Sequence, residues 1–275
     1  MPLTFCSLAS GSSGNCQYVA SPSTRVLIDA GMSGKYVCSA LESIGESIRA
    51  IDAVLLTHEH SDHTTGLRVL LRRYGIPLYI TESTYRSLAP KLADVPEERI
   101  RIFDKSQDFR VGDLTVRGFS VSHDAADPLC YRITHETTDG ATSVGVVTDL
   151  GWVDPDVIEA FGGCDLLMIE SNHDVELLKI GAYPMYLKRR ILSEHGHLSN
   201  EDAGYIAREI LRRGVLKHIL LAHLSKENNF PDLAFETVRG LIEEYGFRVG
   251  EDVDLDLTHR DRVGKLYYLG YGGNG

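Results

Sequence analysis

An α/β fold is predicted by two regularities of this 275-residue chain. Short β-rich apolar runs recur with helical stretches between them, and no Pro/Ser-rich linker, low-complexity tract or heptad repeat breaks the alternation. Five apolar runs also stop at a His or an Asp: Val26-Leu-Ile at Asp29, Val54-Leu-Leu-Thr at His58, Val121-Ser at His123, Val146-Val-Thr at Asp149, and Leu220-Leu-Ala at His223. Strand ends followed by loops are where a rigid scaffold presents ligands, so these residues are expected to converge. Nothing marks an internal boundary, and residues 1–275 are expected to form a single domain.

In chain order, β-rich runs place strands at Thr4–Leu8, Gln17–Ala20, Val26–Asp29, Ala53–Leu56, Leu78–Ile80 and Leu114–Ser120. They continue at Cys130–Thr134, Val144–Thr148, Leu166–Ile169, Ile219–Leu221, Val253–Leu257 and Lys265–Leu269. Helical periodicity and start signals place helices at Lys35–Ser43, Thr65–Tyr74, Pro155–Phe161, Pro184–Glu194, Asn200–Arg213 and Leu233–Tyr245.

Composition excludes several classes. Hydrophobic residues at 43% and charged residues at 24% are globular values, which argues against disorder. No apolar run approaches the roughly twenty residues of a membrane helix, so no membrane partner is expected. The N-terminus has no basic residue ahead of its apolar part, which points to a cytoplasmic protein without a secretory signal. Five scattered cysteines with no C-x-x-C pair predict neither disulfides nor a thiolate metal site, and each is expected to be a small buried hydrophobe. The net charge of −11 disfavours nucleic-acid binding by bulk electrostatics. Bound divalent cations would reverse the local sign.

The strongest local signal is Thr57-His58-Glu59-His60-Ser61-Asp62-His63-Thr64. In an extended segment His58 and His60 project to one side and can grip one cation, while Asp62 and His63 follow where the chain turns into a helix and can face a neighbouring position. Asp62 could instead simply cap that helix. Three imidazoles crowded beside a carboxylate are better explained by a metal.

The segment resembles the signature of the metallo-β-lactamase superfamily, and the strand ends supply the remaining motifs: Asp29 in Leu-Ile-Asp-Ala-Gly, His123, Asp149 in Thr-Asp-Leu-Gly, and His223 in Leu-Ala-His-Leu-Ser. The resemblance implies a four-layer αβ/βα sandwich of the metallo-β-lactamase type. It assigns His58, His60 and His123 to one divalent metal ion and Asp62, His63 and His223 to a second, with Asp149 bridging them and Asp29 holding a ligand in place. Three neutral imidazoles with an open position suit a catalytic zinc, and the second site, richer in oxygen, suits zinc or manganese. His135, His218 and His259 lack such context and are read as non-ligands.

Further stretches resemble the YycJ/WalJ-like branch over nearly the whole chain: Leu8-Ala-Ser-Gly-Ser-Ser-Gly-Asn-Cys, Ser122-His-Asp-Ala-Ala-Asp-Pro, Glu170-Ser-Asn-His-Asp, Gly181-Ala-Tyr-Pro-Met-Tyr-Leu-Lys-Arg-Arg-Ile and Gly196-His-Leu-Ser-Asn. Cys130 departs from that pattern, which has glycine before the tyrosine. The branch is associated with DNA 5′-exonuclease activity and related to the ribonuclease J and ribonuclease Z phosphodiesterases. The resemblance therefore implies hydrolysis of single-stranded or end-exposed nucleic acid, DNA in the first instance, by a hydroxide between two cations. No obligate protein partner is inferred.

Asp62, His197 and His173 are the expected catalytic residues. Ser199 or Asn200 would cap the following helix and leave His197 at a helix N-terminus, where phosphate is favoured. Ser13 and Asn15, in a loop that could equally be a plain turn, together with Ser199, Arg189 and Arg190, are expected to meet substrate. The two arginines belong to a run from Lys179 to Lys217 with eight basic and four acidic residues, either a solvated helix face or a track for a phosphate backbone. A thioesterase or lactamase acting at a carbonyl carbon is the rival enzyme, and a metal-stabilised regulatory protein the rival outside catalysis.

Overall fold

The computed structural model describes residues 3–270. Its strands are β1 (Leu3–Ala9), β2 (Cys16–Ala20), β3 (Arg25–Ile28), β4 (Ala53–Leu55), β5 (Leu78–Ile80), β6 (Ile100–Ile102), β7 (Phe109–Val111), β8 (Leu114–Ser120), β9 (Leu129–Thr137), β10 (Gly140–Val147), β11 (Leu166–Glu170), β12 (His218–Ala222), β13 (Asp254–Leu257) and β14 (Tyr267–Leu269). The chain divides into two compact units. One comprises the residues up to Ser120, Ala125–Thr142 and the residues from His259 onward; the other comprises Val121–Asp124 and Ser143–Thr258.

The first unit holds a seven-stranded sheet in the order β14-β1-β2-β3-β4-β5-β6. Strands β3 to β6 run parallel, and β3 and β4 read as unbroken apolar runs because such strands are covered on both faces. Val37 and Leu41 of the Gly34–Ser43 helix join Leu27, Val54 and Leu78 in its core. The antiparallel run β7-β8-β9 belongs to the same unit. There β8 alternates buried and half-buried residues from Leu114, the period-two pattern of a strand with one covered face.

In the second unit β10, β11, β12 and β13 are parallel, with β11 between β10 and β12. The register pairs Val147 with Ile169, Ile169 with Leu221, and Glu170 with Ala222, so the carboxyl ends of three strands are level. Helices Asn200–Leu211 and Pro231–Glu244 pack on each other. No helix among the described residues is long and apolar enough to cross a membrane.

Several local expectations are corrected. The helix expected over Thr65–Tyr74 begins only at Leu67, as Leu67–Val69 and a wider π-type turn at Leu70–Tyr74, with a separate turn at Ser61–Thr64 ahead of it. The break falls at Gly66, whose N–H donates to the Ala30 carbonyl, and a Cβ there would lie 2.2 Å from the Met32 carbonyl oxygen. Strands β6 and β7 and the helices Glu82–Leu88 and Val175–Ile180 were not expected. The helix expected at Pro184–Glu194 ends at Ile191. Four cysteines are buried, but Cys38 is half-buried with its thiol 3.3 Å from the Tyr74 hydroxyl.

Candidate metal centre

In the first unit parallel pairing sets Asp29, just beyond β3, beside the loop that follows β4. Asp29 continues the ladder by donating its N–H to the Leu55 carbonyl, with a left-handed φ of 62°. That conformation is uncommon outside glycine and marks a position held by its surroundings. Asp29 Oδ2 lies 2.7 Å from His63 Nδ1, and its carboxylate also accepts from the Thr57 N–H and hydroxyl. Burial raises its pKa, and the pull of His63 and Thr57 in the other direction does not cancel this. Gly31 lets the two loops close: a Cβ there would fall 1.6 Å from the Asp62 carbonyl oxygen.

These contacts set the tautomers. A carboxylate accepts, so the His63 proton sits on Nδ1, and the Nε2 lone pair faces the Asn15 amide. Because the Thr57 hydroxyl donates to Asp29, it can only accept from His58 Nδ1, at 3.0 Å, which turns the Nε2 lone pair toward His60. His58 Nε2 stands 3.0 Å from His60 Nδ1, a spacing at which both nitrogens can bind one cation. Glu59 turns away to accept from the Ala126 N–H.

In the second unit Asp149, Glu170 and His223 stand at the level ends of β10, β11 and β12. Asp149 and His223 are again left-handed, at φ 61° and 55°. Glu170 is fully buried and takes His197 Nδ1 at 2.8 Å and His223 Nδ1 at 2.7 Å on Oε1, with the Leu150 and Leu198 N–H groups on Oε2. Burial would raise its pKa, but the two imidazoles outweigh it and hold the carboxyl below the usual carboxylate range. Both imidazoles donate from Nδ1, so both offer Nε2. One ligand atom from each of Asp149, Glu170, His197 and His223 lies within 4.8 Å of all the others. His123 lies with Nδ1 3.2 Å from the Gly196 carbonyl, and burial lowers its pKa and favours the neutral, metal-binding form.

Glu170 is the residue that sequence reasoning missed. Leu166-Leu-Met-Ile runs straight into it, so an apolar run ending at a glutamate carries the same signal as one ending at His or Asp.

The other expected residues fall out variously. Asn15 is buried, with Nδ2 3.0 Å from His63 Nε2 and 3.5 Å from Asp62 Oδ2, so it touches the histidine cluster; Ser13 is exposed. Ser199 caps the Asn200–Leu211 helix in a reciprocal box with Asp202. Arg190 is half-exposed and paired with Asp124 at 2.6 Å, while Arg189 is exposed. His135 and His218 face Asp113 and Asp254.

His173, expected at the phosphate, is 1% exposed, and neither ring nitrogen has a hydrogen-bond partner. Burial outweighs the Glu170 charge and depresses its pKa to about 4. The unfolded chain takes up this proton below about 6.5 and the folded chain does not until about 4, so stability falls as pH drops through that window. The loss expected is on the order of 3 kcal/mol. Urea unfolding of wild type and His173→Gln from pH 7 to 4 checks it: the variant should lose less stability across the window, and parallel curves would refute the assignment.

Clusters of buried imidazole nitrogens and carboxylates with fixed tautomers are of the divalent-metal-binding type, and the donor set fits such ions.

A model of the beta-lactamase superfamily domain matches residues 24–219. The chain is 39% identical over 269 residues to an exodeoxyribonuclease YycJ of Bacillus anthracis, covering 98% of this chain and all of that one. It is 41% identical over 262 residues to an exodeoxyribonuclease WalJ of Streptococcus pneumoniae serotype 2 (strain D39 / NCTC 7466), covering 94% and 95% of the two chains. Among solved structures, the metallo-beta-lactamase fold protein YhfI from Bacillus subtilis superposes with a TM-score of 0.71 at 20% identity over 96% of this chain and 99% of that one.

Proposed function

We propose, because this chain belongs to the metallo-β-lactamase superfamily and within it to the YycJ/WalJ group, that it is a metal-dependent hydrolase cleaving phosphodiester bonds in nucleic acid. The finer reading is an exonuclease on single-stranded or end-exposed DNA, working in the cytoplasm as a single domain with two zinc or manganese ions. His58, His60 and His123 would hold one ion and Asp62, His63 and His223 the other, with Asp149 serving both. Bound there, such ions lower the pKa of water and neutralise charge developing on phosphoryl oxygens.

The observation that carries the reading is His197. Its Nδ1 is fixed on Glu170, its ring centroid lies 5.2 Å from that of His223 and 5.3 Å from that of His123, and its side chain is 19% exposed. An imidazole so anchored on Nδ1 aims Nε2 at a phosphate among the ligands, and in its doubly protonated form it would donate from Nε2 to that phosphate and protonate the departing oxygen. Asp29 and Glu170 hold their histidines in the required tautomers, and the Asn15 amide, which faces His63 Nε2, would turn aside for His63 to take an ion. Arg189 and Arg190 would follow the strand beyond the reacting phosphate.

A panel of end-labelled DNA and RNA single strands, a thioester and a chromogenic lactam tests this. Strand shortening with the other two substrates untouched is the expected result. Hydrolysis of the thioester or lactam with intact strands would replace the reading by the carbonyl-centre one, and no turnover of any would favour a regulatory protein.

A further inference from the structure

The chain has one tryptophan, Trp152, and it is 50% exposed. Its neighbours on both sides are anchored. Leu150 is fully buried and donates its N–H to Glu170; the Gly151 N–H donates to the Ser122 carbonyl at 3.1 Å; Val153 is buried; Asp154 caps the Pro155–Phe161 helix. Gly151 is pressed so closely on the following loop that a Cβ would lie 2.2 Å from the Ser193 carbonyl oxygen and 2.6 Å from the Gly196 N. The indole is thus held half in solvent by a backbone with little freedom, which is the reverse of what core packing would do with the largest apolar side chain.

Its surroundings belong to the reacting site. Trp152 is three residues beyond Asp149, a reach of at most about 10 Å. The loop that the preceding Gly151 abuts carries His195, Gly196 and His197: His195 Nδ1 lies 2.8 Å from the Ser122 hydroxyl, and the Gly196 carbonyl holds His123. Arg190 is fastened to Asp124, the residue after His123. A half-exposed indole on an anchored backbone three residues from Asp149 is suited to single-stranded nucleic acid, where bases stack on aromatic side chains while cations follow the backbone.

We propose that Trp152 is the stacking platform for the nucleobase adjoining the phosphate held at His197. The proposal rests on the nucleic-acid reading above and adds the contact that would let the enzyme grip a base without reading its identity. It makes Trp152 a substrate-positioning residue, since it touches the base and not the reacting atoms.

Because the chain has a single tryptophan, its own fluorescence reports the contact directly. The metal-loaded protein is titrated with a phosphorothioate oligothymidylate, and with the same strand carrying abasic sites at the two terminal positions of each end. Binding is followed in parallel by anisotropy of an internally labelled strand. Tryptophan emission should change and saturate with the anisotropy for the complete strand, and the abasic-ended strand should bind more weakly without the change. Trp152→Ala should weaken binding by roughly 5- to 150-fold, the range for loss of one stacked base, and Trp152→Phe should recover most of it. Strand binding with unchanged emission, or Ala and Phe variants that bind alike, would overturn the proposal while leaving the nuclease reading in place. Absence of strand binding by anisotropy would overturn both. The abasic comparison uses wild-type protein alone and holds whether or not the variants fold.

Discussion

Asp149→Asn is expected to abolish strand cleavage, by on the order of 10⁴-fold or more, while leaving the fold intact. Asp149 carries φ 61°, a conformation asparagine accepts and most residues do not, so the amide should sit where the carboxylate did. What it loses is the charge proposed to serve both cations, and without it the chemical step fails rather than substrate binding. Asp149→Ala would mix this loss with backbone strain of about 1 kcal/mol, which makes Asn the cleaner variant. Single-turnover cleavage, read beside the urea midpoint, separates the two effects. Cleavage by the Asn variant at the wild-type rate would remove Asp149 from the site.

Glu170→Gln should combine an activity loss with a stability loss. The carboxylate accepts from four buried donors, two imidazoles and two backbone N–H groups. An amide presents a donor at one end in either orientation, so two of the four lose their acceptor. Two unsatisfied buried donors cost roughly 2–6 kcal/mol, at about 1–3 each. Where the amide nitrogen takes the Oε1 place, the pair that loses its acceptor is His197 and His223, and groups that orient ligands are worth about 10- to 100-fold in metal affinity or rate. Urea unfolding and strand cleavage on one preparation check both parts. A variant as stable and as active as wild type would show that the hub does not organise the site.

What was legible in the sequence is what is local. The His58–His63 segment announces itself because its donors are contiguous, and Asp29, Asp149 and His223 because an apolar run ends abruptly at each. Within the second unit, the level ends that carry Asp149 and His223 follow from in-register parallel pairing. Long-range contacts were not legible. Gly66 interrupts a helical pattern because of a carbonyl more than thirty residues earlier, and Arg190 is committed to Asp124 across 66 positions. Asn15 read as a loop residue that could meet substrate, whereas folding brings it 48 positions forward onto His63. His173 sat among polar loop residues and is buried, because its backbone is bridged to that of Ser199. Strands β6 and β7 have three residues each with an arginine at the centre, too short and too polar to show a period.

His58, His60, Asp62, His63, His123, Asp149 and His223 are proposed to hold a pair of cations that do the chemistry. Metal analysis of protein purified without chelator tests this most directly. The account predicts about two divalent ions per chain, because these ligands are too many for one tetrahedral ion. One ion per chain, or none after incubation with zinc or manganese, would contradict it.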